Sequence, residues 1–95
     1  MARIKVTFLS ILAEIVGKKE YSFKIEENFA IKDLLAFLIN KFGVNFKNYF
    51  FESSDLLKKY IIIGLNGKDI RQYEGVDTKI NNGDHISFLP AIAGG

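Results

Sequence analysis

With no cysteine among its 95 residues, the chain has no disulfide, no thiolate nucleophile and no cysteine-type zinc site. Nor can it carry sulfur on a side-chain thiol. Tryptophan is absent, and proline, methionine and histidine occur once each. The longest apolar runs, residues 11–16 and 60–65, are broken by Glu14 and by Gly64 to Asn66. Neither approaches the roughly 20 residues a membrane-spanning helix needs, so no membrane segment is expected. Charge of one sign is also scarce: 13 Lys and Arg against 11 Asp and Glu leave a net +2, too little for a nucleic-acid footprint. Lys18-Lys19 and Lys58-Lys59 read as solvated loop charges.

The side chains that do catalysis are equally sparse. His85 has no cysteine and no carboxylate at ligand spacing, and reads as a strand-surface residue. None of Ser10, Ser22, Ser53, Ser54 and Ser87 lies in a Gly-x-Ser-x-Gly elbow. Asp69, Asp77 and Asp84 occupy turn-like stretches, where aspartate bonds its own backbone. The internal glycines are scattered and form no phosphate-cradling loop. The expectation is no catalytic residue, no metal ligand and no bound cofactor.

What is present is core material: 48% hydrophobic residues, with nine Phe and four Tyr. A chain of this length makes one domain that buries about 60 to 65% of its unfolded surface. The opening Met1-Ala2-Arg3-Ile4-Lys5-Val6 alternates polar and apolar, which predicts a strand over residues 3–9 instead of a signal peptide, and hence a cytoplasmic protein. Ile4, Val6 and Phe8 fall on one face, with Arg3, Lys5 and Thr7 on the other. Ser10 is positioned to cap a helical turn over residues 11–16 that stops at Gly17. Residues 20–26 alternate again, with Tyr21, Phe23 and Ile25 on one side, and predict an antiparallel partner for the first strand.

The clearest helix spans residues 31–42, where Ile31, Leu34, Leu35, Leu38, Ile39 and Phe42 form a stripe at helical spacing. Asp33 in its first turn and Lys41 in its last suit the helix dipole, and Gly43 closes it. Residues 44–59 are compatible with a strand, a loop or a second short helix ending at 55–59. The aromatic segment 46–51 within them serves either the core or the choice of partner. Residues 60–65 are β-branched and lead into Asn66-Gly67, a tight-hairpin signal. Turns follow at Gly75 and Asn81-Asn82-Gly83-Asp84, with a short apolar element around Ile80 between them, and a last strand covers residues 85–89. Pro90 has no amide hydrogen, so the chain is expected to leave the sheet there. The order strand, strand, helix, strand, strand predicts an α+β fold of the β-grasp, ubiquitin-like kind. Its mixed sheet would have about four to five strands, with one main helix across one face. The domain would span residues 1–90 and a flexible tail residues 91–95.

That tail ends in Gly94-Gly95. Two residues without a Cβ can thread a narrow slot in another protein, and what they deliver there is the α-carboxylate of Gly95. Ionised at neutral pH, it is a poor acyl donor until another protein activates it. Conversion to an acyl adenylate would let either a sulfide equivalent or an amine attack the Gly95 carbonyl.

Asn82-Gly83-Asp84, the strand 85–89 and Leu89-Pro90-Ala91-Ile92-Ala93-Gly94-Gly95 resemble the C-terminal signature of the MoaD and ThiS type of β-grasp sulfur carriers. The match extends to the strand 4–8, Leu12, Gly17, the helix with Leu34, Leu35 and Leu38, and the Asn66-Gly67 turn. It is nearest to molybdopterin synthase small subunits. The resemblance implies that Gly95 is adenylated by a ubiquitin-activating-like enzyme, which uses ATP, and is then thiocarboxylated. It implies that Gly94 lets the tail enter the synthase's large subunit, where sulfur passes to a pterin precursor. Leu89, Pro90 and Ile92 would contribute to the partner surface. The alternative reading is a ubiquitin-like modifier joined to lysines through Gly95. The sequence departs from the family where Pro90 is followed by Ala91 instead of a second proline.

Overall fold

The computed structural model describes residues 2–51 and 61–90. Its elements are β1 (Ala2–Phe8), α1 (Ile11–Val16), β2 (Glu20–Ile25), α2 (Ile31–Phe42), α3 (Val44–Phe50), β3 (Ile61–Leu65), β4 (Lys68–Asp69) and β5 (His85–Pro90), with two 3₁₀ turns between β4 and β5. The five strands form one sheet in the order β2-β1-β5-β3-β4. β1 runs antiparallel to β2 and parallel to β5, and β3 pairs antiparallel with both β4 and β5. The sheet is therefore mixed, and the first and last strands lie side by side at its centre.

Local chemistry explains most boundaries. Gly17 ends α1 in the left-handed conformation, at φ 96°, and the Tyr21 hydroxyl donates to the Val16 carbonyl beside it. At the start of α2 the Asp33 carboxylate accepts from the Ala30 N–H at 2.8 Å, satisfying one of the orphan amides there. Asn66 and Gly67 both take positive φ, at 52° and 87°, so that Leu65 meets Lys68 across a two-residue turn. Ser10, by contrast, does not cap α1 as expected. It sits at φ 57° and its side chain makes no capping hydrogen bond.

The core lies between the sheet and α2. Ile4, Val6, Phe8, Ile86 and Phe88 from the central strands meet Ile31, Leu34, Leu35 and Leu38 from α2, all buried. Leu12, Phe23, Ile25, Ile63 and Leu65 add to it, as does the segment after Gly43. Residues 44–50 form a separate helix whose Phe46 and Phe50, one turn apart, are fully buried. Phe46 and Phe50 stack at 4.1 Å, and Phe8 meets both edge-on. Of the two roles open to this segment, the described part serves the core. Residues 52–60, including the helix expected to end at 55–59 and the start of the third strand, lie outside the described residues.

Gly43 joins α2 to α3 at φ 86°, ψ −160°, a region that only glycine enters without strain. A Cβ there would touch nothing within 4 Å, so the cost is conformational alone. We expect Gly43→Ala to lose about 1–3 kcal/mol of stability in urea titrations, with no change in the slope.

Pro90 stands inside β5, paired with Ile61, and not beyond it as expected. The reason is a parity of hydrogen bonding. Phe88 C=O accepts from Leu9 N–H on the β1 side, and His85 C=O accepts from Asn66 N–H on the β3 side. Pro90 shares the parity of Phe88, so its missing N–H falls on the β1 side, where β1 has already ended at Phe8. Proline removes no ladder bond at this position.

Candidate functional site

The start of β5 is pinned by side chains from the surrounding turns. Asn66 Nδ2 donates to Asp84 Oδ1 at 3.0 Å, and His85 N–H donates to Asn66 Oδ1 at 2.8 Å. Asp84 Oδ2 accepts from Asn81 N–H at 2.7 Å, and Asn82 Oδ1 accepts from Arg3 N–H at 2.8 Å. Ile86 and Phe88, both at 0% exposure, then hold the strand down along its length. The last described strand is thereby fixed in the sheet along its whole length, to Pro90.

The faces of that end differ. Ile86 and Phe88 point into the core, which puts Leu89 on the open face, where it is half-buried opposite an equally half-buried Ile62. Leu89 and Ile62 make a small apolar pair on the side of the sheet away from α2. Pro90, one residue on, belongs to the core-facing parity opposite Ile61. The three residues expected to share a partner surface are thus divided. Leu89 is on the open face, Pro90 is on the other, and Ile92, with Gly94 and Gly95, lies outside the described residues.

Nearby on the open face, Thr7 Oγ1 and His85 Nε2 share a hydrogen bond at 2.6 Å. This contact leaves Thr7 buried despite its place on the polar side of β1. Neither this pair nor the Asn66–Asp84 cluster was found by sequence reasoning. Both arise from strand neighbours more than 15 residues apart, and local periodicity carries no such information.

The described residues supply little for acid–base work. Displaced titrations belong to surface ion pairs. The Arg71 side chain, hydrogen-bonded to Asp69, holds that carboxyl below the usual range, and the partnership raises Arg71 in turn. Lys32 is raised by its hydrogen bond to Asp77. Both pairs lie away from β5. No group of three His, Asp or Glu able to hold a metal occurs among the described residues. A shallow cleft near Ala2, Glu26, Glu27 and Asn28 lies at the opposite end of β1. Among the described residues no helix is long and apolar enough to cross a membrane.

A five-stranded mixed sheet with parallel first and last strands, covered on one face by a helix, is the ubiquitin-like β-grasp. With its last strand in the middle of that sheet, the protein is of the ubiquitin-like β-grasp class. The chain matches the ThiS family over residues 6–95, and it belongs to that family of β-grasp sulfur carriers. It is 30% identical over 69 residues to a protein of Archaeoglobus fulgidus assigned as a sulfur carrier, covering 73% of this chain and 77% of the relative. The solution structure of small archaeal modifier protein 1 from Methanosarcina acetivorans superposes with a TM-score of 0.82 at 33% identity, over 100% of this chain and 98% of that one. A Pyrococcus furiosus protein assigned as molybdopterin converting factor subunit 1 shares the fold, with a TM-score of 0.76 at 16% identity over 97% and 100% of the two chains.

Proposed function

We propose that this protein carries sulfur on the carboxyl group of Gly95. An ATP-dependent, ubiquitin-activating-like enzyme would join the Gly95 carboxylate to AMP with release of pyrophosphate. A sulfide equivalent would then attack the acyl carbon, and AMP would leave. The product is a thiocarboxylate, and the sulfur passes to an acceptor held by a second protein, with molybdopterin synthase's large subunit and its pterin as the first candidate. In this reading residues 1–90 are the handle, residues 91–95 the tail, and Gly94 the slender residue behind the reacting one. The chain itself binds no cofactor. Consumption of ATP suits a cytoplasmic setting.

The observation that carries the reading is the family match running through to Gly95, in a chain without a cysteine to hold sulfur elsewhere. A second reading, conjugation of Gly95 to lysines, is favoured by the 33% identity to an archaeal modifier across the whole chain. The adenylate is common to both, and the nucleophile decides. Intact-mass spectrometry after incubation with an activating enzyme, ATP and a sulfur source would show one carboxyl oxygen replaced by sulfur for a carrier. A Gly95-to-lysine branch in cellular digests marks the modifier. Failure of both, under conditions that load a known carrier, would sink the proposal.

Leu89 is the apolar anchor of the described surface. We expect Leu89→Asp to weaken binding to the activating enzyme or the sulfur-accepting subunit by about thirty-fold, a typical hot-spot loss of roughly 2 kcal/mol. Thermal unfolding should move little, because the side chain is only half-buried. Calorimetric titration beside a melting curve separates the two effects.

A further inference from the structure

β2 is an edge of the sheet, and its outward side is open among the described residues. Lys5 N–H donates to Asp84 C=O, whereas Phe8 N–H donates to Lys19 C=O, so even-numbered residues of β1 bond towards β2. In the register Ile4↔Phe23 and Val6↔Tyr21, it is Tyr21, Phe23 and Ile25 that exchange hydrogen bonds with β1. Glu20, Ser22 and Lys24 therefore turn their N–H and C=O groups away from the sheet. A lysine on an edge strand ordinarily discourages pairing. Here it sits four residues from a glutamate on the same face.

We propose that a second copy of this chain pairs antiparallel with β2 across a two-fold axis at Ser22. Only registers that oppose even-numbered residues to even-numbered ones allow the outward groups to bond. Centring on Ser22 puts Lys24 opposite Glu20 of the second copy, and Glu20 opposite its Lys24. On the helix side it puts Tyr21 opposite Phe23, an aromatic pairing suited to neighbouring strands. Sliding one step either way opposes Glu20 to Glu26, or Lys24 to Lys18. Both are like-charge contacts, so charge selects one register of the three. Lys5, whose Nζ lies 3.2 Å from Glu20, adds a second cation to that carboxylate without reversing its sign. Phe37, exposed and edge-on to Phe23 at 5.0 Å, extends the apolar surface on the helix side. The interface is isologous, as closed dimers require, and short enough to be transient. β5 lies two strands in from this edge, so pairing leaves Leu89 uncovered. The proposal does not rest on the sulfur chemistry.

The absence of cysteine makes the test clean. Directly opposed residues of a hydrogen-bonded antiparallel pair have Cα atoms about 5.5 Å apart, within disulfide reach. Ser22→Cys should therefore form a covalent dimer with oxidised glutathione, and Lys24→Cys should not. In sedimentation equilibrium of the full chain, Lys24→Glu and Glu20→Lys should each weaken association about tenfold, and the double exchange should restore it to within about threefold. Circular dichroism of each exposed-site variant reports the fold. A chain that stays monomeric at millimolar concentration would overturn the proposal. So would a dimer indifferent to these charges, one abolished by Leu89→Asp, or equal cross-linking of both cysteine variants.

Discussion

Removal of Gly95 is expected to abolish thiocarboxylate formation while leaving the thermal unfolding midpoint where it was. The shortened chain still ends in a glycine carboxylate, so the chemistry is nominally intact and only its position changes. One residue accounts for about 3.3–3.6 Å of extended chain. Reaction in an enzyme site requires the attacking and accepting atoms to lie about 3–3.5 Å apart, and a misplacement of about 1 Å already costs on the order of a hundredfold. A loss of at least about a thousandfold in adenylate formation follows. Stability is spared because Gly95 contributes to none of the described pairings of β5, which run to Ile61↔Pro90. Pyrophosphate release and intact mass, measured beside a melting curve, check both halves. Undiminished loading of the truncated chain would contradict the assignment of Gly95, and loss of the fold would contradict a tail separate from the domain.

The second large effect is on stability alone. Phe8→Ala should cost about 3–5 kcal/mol, the usual range for deleting a fully buried aromatic ring. Phe8 is at 0% exposure, stacks on Phe88 at 5.0 Å, and meets Tyr21, Phe42, Phe46 and Phe50 edge-on. It joins β1, β5, α2 and α3 at one point. Against a total stability of about 5–15 kcal/mol for such a domain, the loss is about a fifth or more of the whole. Urea unfolding followed by circular dichroism should show a midpoint lowered by about a fifth or more. A shift comparable to that of a surface substitution would mean that Phe8 does not organise the core.

The contrast with Leu89→Asp separates the core from the proposed partner surface. Phe88 and Leu89 are neighbours in β5, yet one seats the strand and the other faces outward. Alternation left the face of Leu89 open, and the β3–β5 register settles it. The expectation that the chain leaves the sheet at Pro90 failed, because whether a proline interrupts a sheet depends on which neighbouring strand its missing N–H would have faced.

Elements with a strong local signal were legible. The alternation of β1 and β2, the apolar stripe of α2 and the Asn66-Gly67 turn follow from side-chain periodicity and backbone preference. α3 was not, because seven residues are too few for helical preference to decide. Its Phe46 and Phe50 are helical through packing against Phe8 and Phe88, residues distant in the chain. Of the candidate site, Leu89 was named through the family resemblance, while its outward face and its partner Ile62 required the β3–β5 register.

The chain by itself determined that no cysteine would hold sulfur, and that strands, helix and turns would come in β-grasp order. Composition and local periodicity are sufficient for both. Tertiary structure alone decided that β5 would lie between β1 and β3, that Thr7 would meet His85, and that Leu89 and Pro90 would face opposite ways. Those outcomes depend on register between strands far apart in sequence, and register is set by burying Ile86 and Phe88 against a core to which the whole chain contributes.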